Sequence, residues 1–151
     1  MFGIAEIQSF LAMTYRNAKL GVVPYGYTLS FVGITTTIPG SQQLSIQANA
    51  DFLLLRISHR ANVGAVQNVG NKTAPHLRML VTDSGSGEQF TSAPVDLELI
   101  SSNDAKMRDL PFPRLITGKS SLNIAISSWA PTPETYAVDI LFEGLQVRVY
   151  N

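Results

Sequence analysis

The sequence Ser121-Leu-Asn-Ile-Ala-Ile-Ser-Ser128 lies in the C-terminal third of the chain, which decides the fold. Its branched apolar residues alternate with small or polar ones, the period-two pattern of a strand with one buried face. The run from Val138 to Phe142 repeats this pattern. After Gly144 the apolar residues move from even to odd positions, which would turn them to the opposite face of a strand. We therefore expect a bulge or a sharp bend at Gly144.

Further strand patterns, separated by turn residues, fill most of the remaining chain. We expect strands within 28–37, 44–48, 52–58, 77–81 and 95–99. The run 52–58 is almost entirely apolar, which places it in the middle of its sheet. Residues 59–76 lack periodicity and predict a long loop, whereas 83–87 has the composition of a hairpin turn. The pattern predicts an all-β protein, an antiparallel jelly roll or β-sandwich of about eight strands.

The N-terminal residues predict a short amphipathic helix. Apolar side chains recur at three- and four-residue spacing, at Ile4, Ile7, Phe10 and Leu11. We expect two regions: an N-terminal helix or arm over 1–27 and a jelly-roll domain over 28–151. Three interpretations of the arm remain open: a helix lying on its own sandwich, an arm docked on a neighbouring subunit, or a disordered tail.

Composition limits the possible functions. Eleven basic residues balance eleven acidic ones, and only 15% of residues are charged. Such a chain has no net field to attract nucleic acid or an anionic membrane, and a sparsely charged surface fits a protein covered by partners. Cysteine is absent, which excludes disulfides and thiolate metal sites. With no basic segment ahead of the apolar N-terminal residues and no long apolar run, we expect neither a secretory signal nor a membrane span.

Candidate reactive groups are few. The two histidines, His59 and His76, flank the expected loop, and a base–nucleophile pair with Ser58 or Ser84 has no supporting motif. Two histidines without cysteine make a poor zinc site, and a metal-dependent enzyme on a double-sheet barrel would need more ligands. We expect no catalytic residues, no metal and no cofactor.

Two binding sites are conceivable from residue types alone. The oxygen-rich turn at Asp83 and Glu88, with Asp51, suggests calcium, but its spacing does not match an EF-hand and a Gly/Ser hairpin explains these residues without metal. The aromatic residues Trp129 and Tyr136 suggest a sugar-stacking platform, which Tyr25 and Tyr27 would need to join in space. A lone tryptophan beside prolines more often fills the end of a sandwich.

The order of these features resembles a known family of virion proteins. The segments that carry the resemblance are IPGSQQLSIQ (38–47), ANADFLLLRI (48–57), VTDSGSGEQFTSAPV (81–95), LPFPRLITGKSSLNIAISS (110–128) and VDILFEGLQV (138–147). Together they resemble the small jelly-roll decoration, or cement, proteins and related accessory virion proteins of tailed bacteriophages. The resemblance covers roughly residues 28 to 150 and concerns strand edges rather than active-site residues.

The resemblance implies a structural protein made in the host cytoplasm and bound to the outer surface of the capsid. It implies the major capsid protein as partner, together with self-association as a dimer or trimer. Candidate partner-binding residues are Ile4, Ile7, Phe10, Leu11, Arg60, Asn62, Val63, Val66 and Val69. The alternative is a carbohydrate- or receptor-binding β-sandwich module of a spike, vertex or neck.

Overall fold

Nine strands and two helices form the part of the chain that a computed structural model describes, namely residues 2–64, 72–103, 107–131 and 134–150. The helices are α1 (Ile4–Tyr15) and α2 (Leu97–Ile100). The strands are β1 (Lys19–Ile34), β2 (Gly40–Ser45), β3 (Asp51–Val63), β4 (Lys72–Thr73), β5 (Leu77–Asp83), β6 (Val95–Asp96), β7 (Arg114–Ile116), β8 (Ser121–Ser128) and β9 (Tyr136–Tyr150). No helix among the described residues is long and apolar enough to cross a membrane.

The strands form two antiparallel sheets with the connectivity of a jelly roll. One sheet has the order β1-β9-β3, with β4 and β7 both paired to β3, and the other has the order β2-β8-β5-β6. In a jelly roll the first strand pairs with the last, and successive pairs move inward along the sequence while dividing between two sheets. The pairs β1–β9, β2–β8, β3–β7 and β5–β6 follow this order. This topology confirms the predicted all-β sandwich.

The core lies between the two sheets and follows the alternation read from the sequence. The side chains of Leu122, Ile124 and Ile126 on β8 are buried, and Val138, Ile140 and Phe142 on β9 face them across the sandwich in the same cluster. Strand β3 is paired on both sides, and Phe52, Leu53 and Leu54 are fully buried. The prediction that 52–58 lies in the middle of its sheet is therefore confirmed.

The expected irregularity near Gly144 exists, but it lies in the neighbouring strand. Strand β9 passes through Gly144 in unbroken register with β1, whereas β3 carries Leu55 as an extra residue between its pairs with Gly144 and Glu143. The prediction of a bulge in β9 itself was thus wrong. The apolar residues change parity because the second half of β9 turns Leu145 and Val147 towards α1, on the outer face of the sheet.

Two other predicted segments adopt different structures. Residues 59–63, expected to begin a long loop, continue β3 and pair with β9. Residues 97–99, expected as part of a strand, belong to the one-turn helix α2, because the Asp96 side chain accepts a hydrogen bond from Glu98 N (3.0 Å) and caps it. The predicted turn at 83–87 is present, with Asp83 Oδ1 accepting from Gly85 N (2.8 Å).

Helix α1 packs on the outer face of its own sheet. Leu11 is buried with Leu53 and Val147 in a second apolar cluster, with Ile7 and Phe10 packed against it. The helix ends where Arg16 and Asn17 adopt left-handed backbone conformations (φ 53° and 60°). The chain then enters β1 at Lys19, so residues 19–27, assigned to the arm from the sequence, are part of the paired sheet.

Tyr15 fastens the last turn of α1 to the start of β3. Its hydroxyl donates to Asp51 Oδ2 (2.7 Å), and Asp51 Oδ1 accepts from Gly118 N (2.8 Å). Burial, this hydrogen bond and the negative charge of Asp51 raise the pKa of Tyr15 well above its ordinary value. The folded protein therefore holds the tyrosine proton more tightly than the unfolded chain does.

Replacing Tyr15 with phenylalanine should change both the size and the pH dependence of stability. We expect Tyr15→Phe to lower the free energy of unfolding by about 1–2 kcal/mol at neutral pH, because Asp51 loses a donor. The wild-type stability contributed by this proton is complete below about pH 10 and falls as pH rises further. The variant should show a smaller alkaline fall in urea unfolding. Parallel pH profiles for the two proteins would contradict this role.

Candidate functional site

The described members of the predicted partner-binding set lie on α1 and at the end of β3, and they differ in exposure. On α1, Leu11 is buried and Ile7 and Phe10 are partly buried against the sheet, which leaves Ile4 exposed (77%). The helix therefore lies on its own sandwich, as the first of the three interpretations expected.

The second predicted group lies at the end of β3 rather than in a loop. Arg60 and Val63 are exposed, but Asn62 is fully buried and offers no surface to a partner. At this position β3 pairs with both β9 and β4, so both of its backbone edges are occupied as well. Val66 and Val69 lie outside the described residues.

A cluster of exposed apolar side chains, the strand-end patch, lies where β1 begins and β9 ends. Its members are Val22, Val23, Tyr25, Val149 and Tyr150, each at least 37% exposed. The register places Val23, Tyr25 and Tyr150 on one face of the sheet and Val22 and Val149 on the other, and beyond Val147 the strand β9 pairs only with β1. Sequence reasoning placed this region in the arm and closing strand and did not identify it as a surface.

Tyr150 lies over Gly21, whose missing side chain leaves room for the ring: a Cβ there would lie 2.5 Å from Tyr150 Cε2. Tyr25 is fixed by a hydrogen bond, because its hydroxyl accepts from Gln47 Nε2 (3.0 Å). Tyr25 is thus positioned before any partner arrives.

An apolar groove, the edge groove, opens on the side of the sandwich where the two sheets end in the short strands β6 and β7. Its volume is about 480 Å³. The lining consists of Phe90, Thr91, Val95, Leu99, Ile100 and the segment 108–114. Phe90, Ile100 and Leu110 also pack against the main core, so the groove floor continues the interior. The opposite side of the sandwich is closed by Phe31 and Ile34, which pack tightly over Gly40.

Charged groups of both signs surround the edge groove. The Arg114 guanidinium lies 4.1 Å from the centre of the Phe90 ring and 3.2 Å from Glu88 Oε2. Arg108 Nη2 donates to the backbone oxygen of Glu98 (2.9 Å), and Asp109 accepts from the backbone N–H of Phe2. These contacts hold the charged side chains at the rim of the groove in place. The rim therefore contains both positive and negative groups.

His59 forms the only serine–histidine–carboxylate chain among the described residues. Its Nε2 lies 2.7 Å from Glu98 Oε1 and its Nδ1 lies 2.8 Å from Ser101 Oγ. Since a carboxylate only accepts hydrogen bonds, Nε2 carries the hydrogen. The partner serine is Ser101, not Ser58 or Ser84 as considered from the sequence.

The arrangement around His59 suits a structural link better than catalysis. His59 and Ser101 are 6% and 3% exposed, so the serine hydroxyl that accepts or donates at His59 is almost fully covered. Glu98 Oε2 also accepts from Asn103 Nδ2 (2.6 Å), which ties the segment after α2 to β3. The network therefore positions α2, one wall of the edge groove.

The aromatic residues proposed for sugar stacking do not converge. Tyr136 is buried and its hydroxyl donates to Glu134, while burial and this hydrogen bond raise its pKa. Tyr25 and Tyr27 contact each other edge to face, and Tyr27 packs on Phe52 in the core. Trp129 remains 40% exposed, with the His76 ring 4.8 Å away and the Arg78 guanidinium 5.6 Å from its ring centre.

The three carboxylates considered for calcium are held apart by other partners. Asp51 binds Tyr15 and Gly118, Asp83 closes its own turn, and Glu88 pairs with Arg114. Within the described ranges, no three His, Cys, Asp or Glu side chains are grouped to hold a metal ion.

Comparison of the sequence with models of known protein families and with curated proteins finds no match. Sequence reasoning identified neither the strand-end patch nor the edge groove. Exposed apolar residues at 22–25 and the motif Leu110-Pro-Phe-Pro-Arg114 were the available signals.

Proposed function

We propose that this chain is a structural virion protein that decorates and stabilises the capsid of a tailed bacteriophage. It acts by binding, and its partner is the major capsid protein. The observation that carries the proposal is the strand-end patch, a preformed apolar surface on a jelly roll with zero net charge. Exposed apolar side chains grouped on one face mark contacts with other macromolecules, and Val23, Tyr25 and Tyr150 share a face of the sheet.

The fold and the charge balance support the proposal together. Jelly rolls serve as viral capsid, lectin and cupin domains, so the fold narrows the choice without deciding it. A surface with few charges suits attachment by apolar and main-chain contacts to a lattice that is already assembled. Repeated attachment sites on a lattice multiply a modest affinity at each site.

A charge placed in the strand-end patch should prevent attachment to capsids. We expect Val23→Asp to weaken co-sedimentation with capsids by about tenfold or more, because a buried unpaired carboxylate is costly. Val32→Asp is the matched control: Val32 lies on the same strand and is similarly exposed (66% against 57%), but outside the patch. The control should bind like the wild type.

This experiment tests the attachment surface and the virion function separately. Equal binding by Val23→Asp and the wild type would show that the patch is not the attachment surface. A wild-type protein that is absent from purified virions by mass spectrometry and does not co-sediment with capsids would contradict the virion proposal itself.

A carbohydrate-binding or receptor-binding module is the second candidate, and the exposure of Trp129 favours it. The indole is flanked by His76 and Arg78, which supply polar groups next to an aromatic face. A glycan array with wild-type protein and Trp129→Ala tests this candidate. Glycan binding by the wild type that is lost in Trp129→Ala would support this candidate. A wild type that binds no glycan on the array would contradict it.

A further inference from the structure

The edge groove lies beside a protruding aromatic side chain. Phe112 lies between two prolines and is 80% exposed, and Leu99 on the other wall is 68% exposed. Burying an aromatic side chain removes roughly 150–250 Å² of surface from water. The same small region thus contains an apolar hollow that continues the core and an apolar projection next to it.

We propose that the edge groove binds the same surface of a second copy of this chain, with Phe112 of each copy inserted into the groove of the other. A two-fold interface requires one self-complementary patch, since residue i contacts j and j contacts i. A hollow and a projection on one patch meet that requirement. The inference goes beyond the proposed function and does not depend on it, because it concerns the purified chain alone.

The size of the groove allows this exchange. A closed apolar cavity of about 150 Å³ is enough to hold a benzene molecule. The groove, at about 480 Å³, has room for a phenyl ring next to the chain that carries it. A small ligand would fill the hollow but would leave the outer sides of Phe112 and Leu99 in water.

The charges around the groove also fit a second copy. Two arginines, Arg108 and Arg114, are balanced by two carboxylates, Glu88 and Asp109. Two identical patches therefore meet without net repulsion, and Arg114 of one copy can face Glu88 of the other. A strongly acidic or strongly basic partner would find no such match.

Sedimentation velocity of the purified full-length chain over a range of concentrations tests the proposal. We expect a reversible dimer in the wild type. Phe112→Ala should raise the dimer dissociation constant at least about 30-fold, the effect of losing a central aromatic anchor. Met13→Ala is the matched control, since Met13 is as exposed (83%) but lies on α1, and its dissociation constant should be unchanged.

A cross-link identifies the contact directly. Phe112→p-benzoylphenylalanine keeps an aromatic ring, and irradiation should yield a covalent dimer joined at Leu99, Ile100 or Leu110 of the second copy. A wild type that stays monomeric up to about 1 mM, a trimer, or cross-links confined to residues outside the groove would each overturn the proposal. Since no capsid is present, these outcomes leave the proposed virion function to its own test.

Discussion

Replacing Gly144 with alanine is expected to destabilise the protein by about 3 kcal/mol or more, or to prevent folding. A Cβ at this position would lie 1.9 Å from the backbone oxygen of Leu53, a distance that no pair of non-bonded atoms tolerates. The obstacle is backbone in the central pair of the sheet, so no side-chain rotation relieves it. Strands β3 and β9 must move apart, and both apolar clusters draw residues from these two strands.

The matched control is Gly3→Ala. Gly3 precedes α1 with φ −75°, and a Cβ there meets nothing within 4 Å. We expect its effect to stay within about 0.5 kcal/mol in urea unfolding. Equal stability of Gly144→Ala and Gly3→Ala would show that the spacing of β3 and β9 adapts, and that their close approach does not organise the fold.

The sequence predicted correctly those strands in which the same face is buried from one end to the other. In β8 one face is buried along its whole length, so the alternation of Leu122, Ile124 and Ile126 is unbroken. Strand β9 was harder to predict, because the opposite sheet covers one face of its first half and α1 covers the other face of its second half. A period-two pattern records which face is buried but not which element buries it. The parity change at Gly144 therefore looked like a bulge in β9.

Short segments and long-range partners could not be predicted in the same way. The sequence Val95-Asp-Leu-Glu-Leu99 alternates like a strand, yet the capping carboxylate of Asp96 starts a helix after only two residue pairs with β5. The partners of His59 come from residues 98 and 101, about 40 positions away, and only the topology brings them together. The edge groove depends on the same convergence of distant segments.

Replacing Phe142 with alanine is expected to cost about 3–5 kcal/mol of unfolding free energy. The ring is fully buried in the main core, and its strand position pairs with Ile57 on one side and Tyr27 on the other. The chain contains its own control, Phe112→Ala, which removes the same atoms from a side chain that is 80% exposed. The control should cost no more than about 0.5 kcal/mol.

The two phenylalanine variants separate stability from association. Urea unfolding should be measured at about 1 µM, because self-association would otherwise stabilise the wild type by mass action. At higher protein concentration we expect Phe112→Ala to have the larger effect on dimerisation. It should lose the dimer, whereas folded Phe142→Ala should retain it. Equal losses of stability at low concentration would mean that Phe112 is covered within the monomer. In that case the edge groove would be part of the core rather than a binding surface.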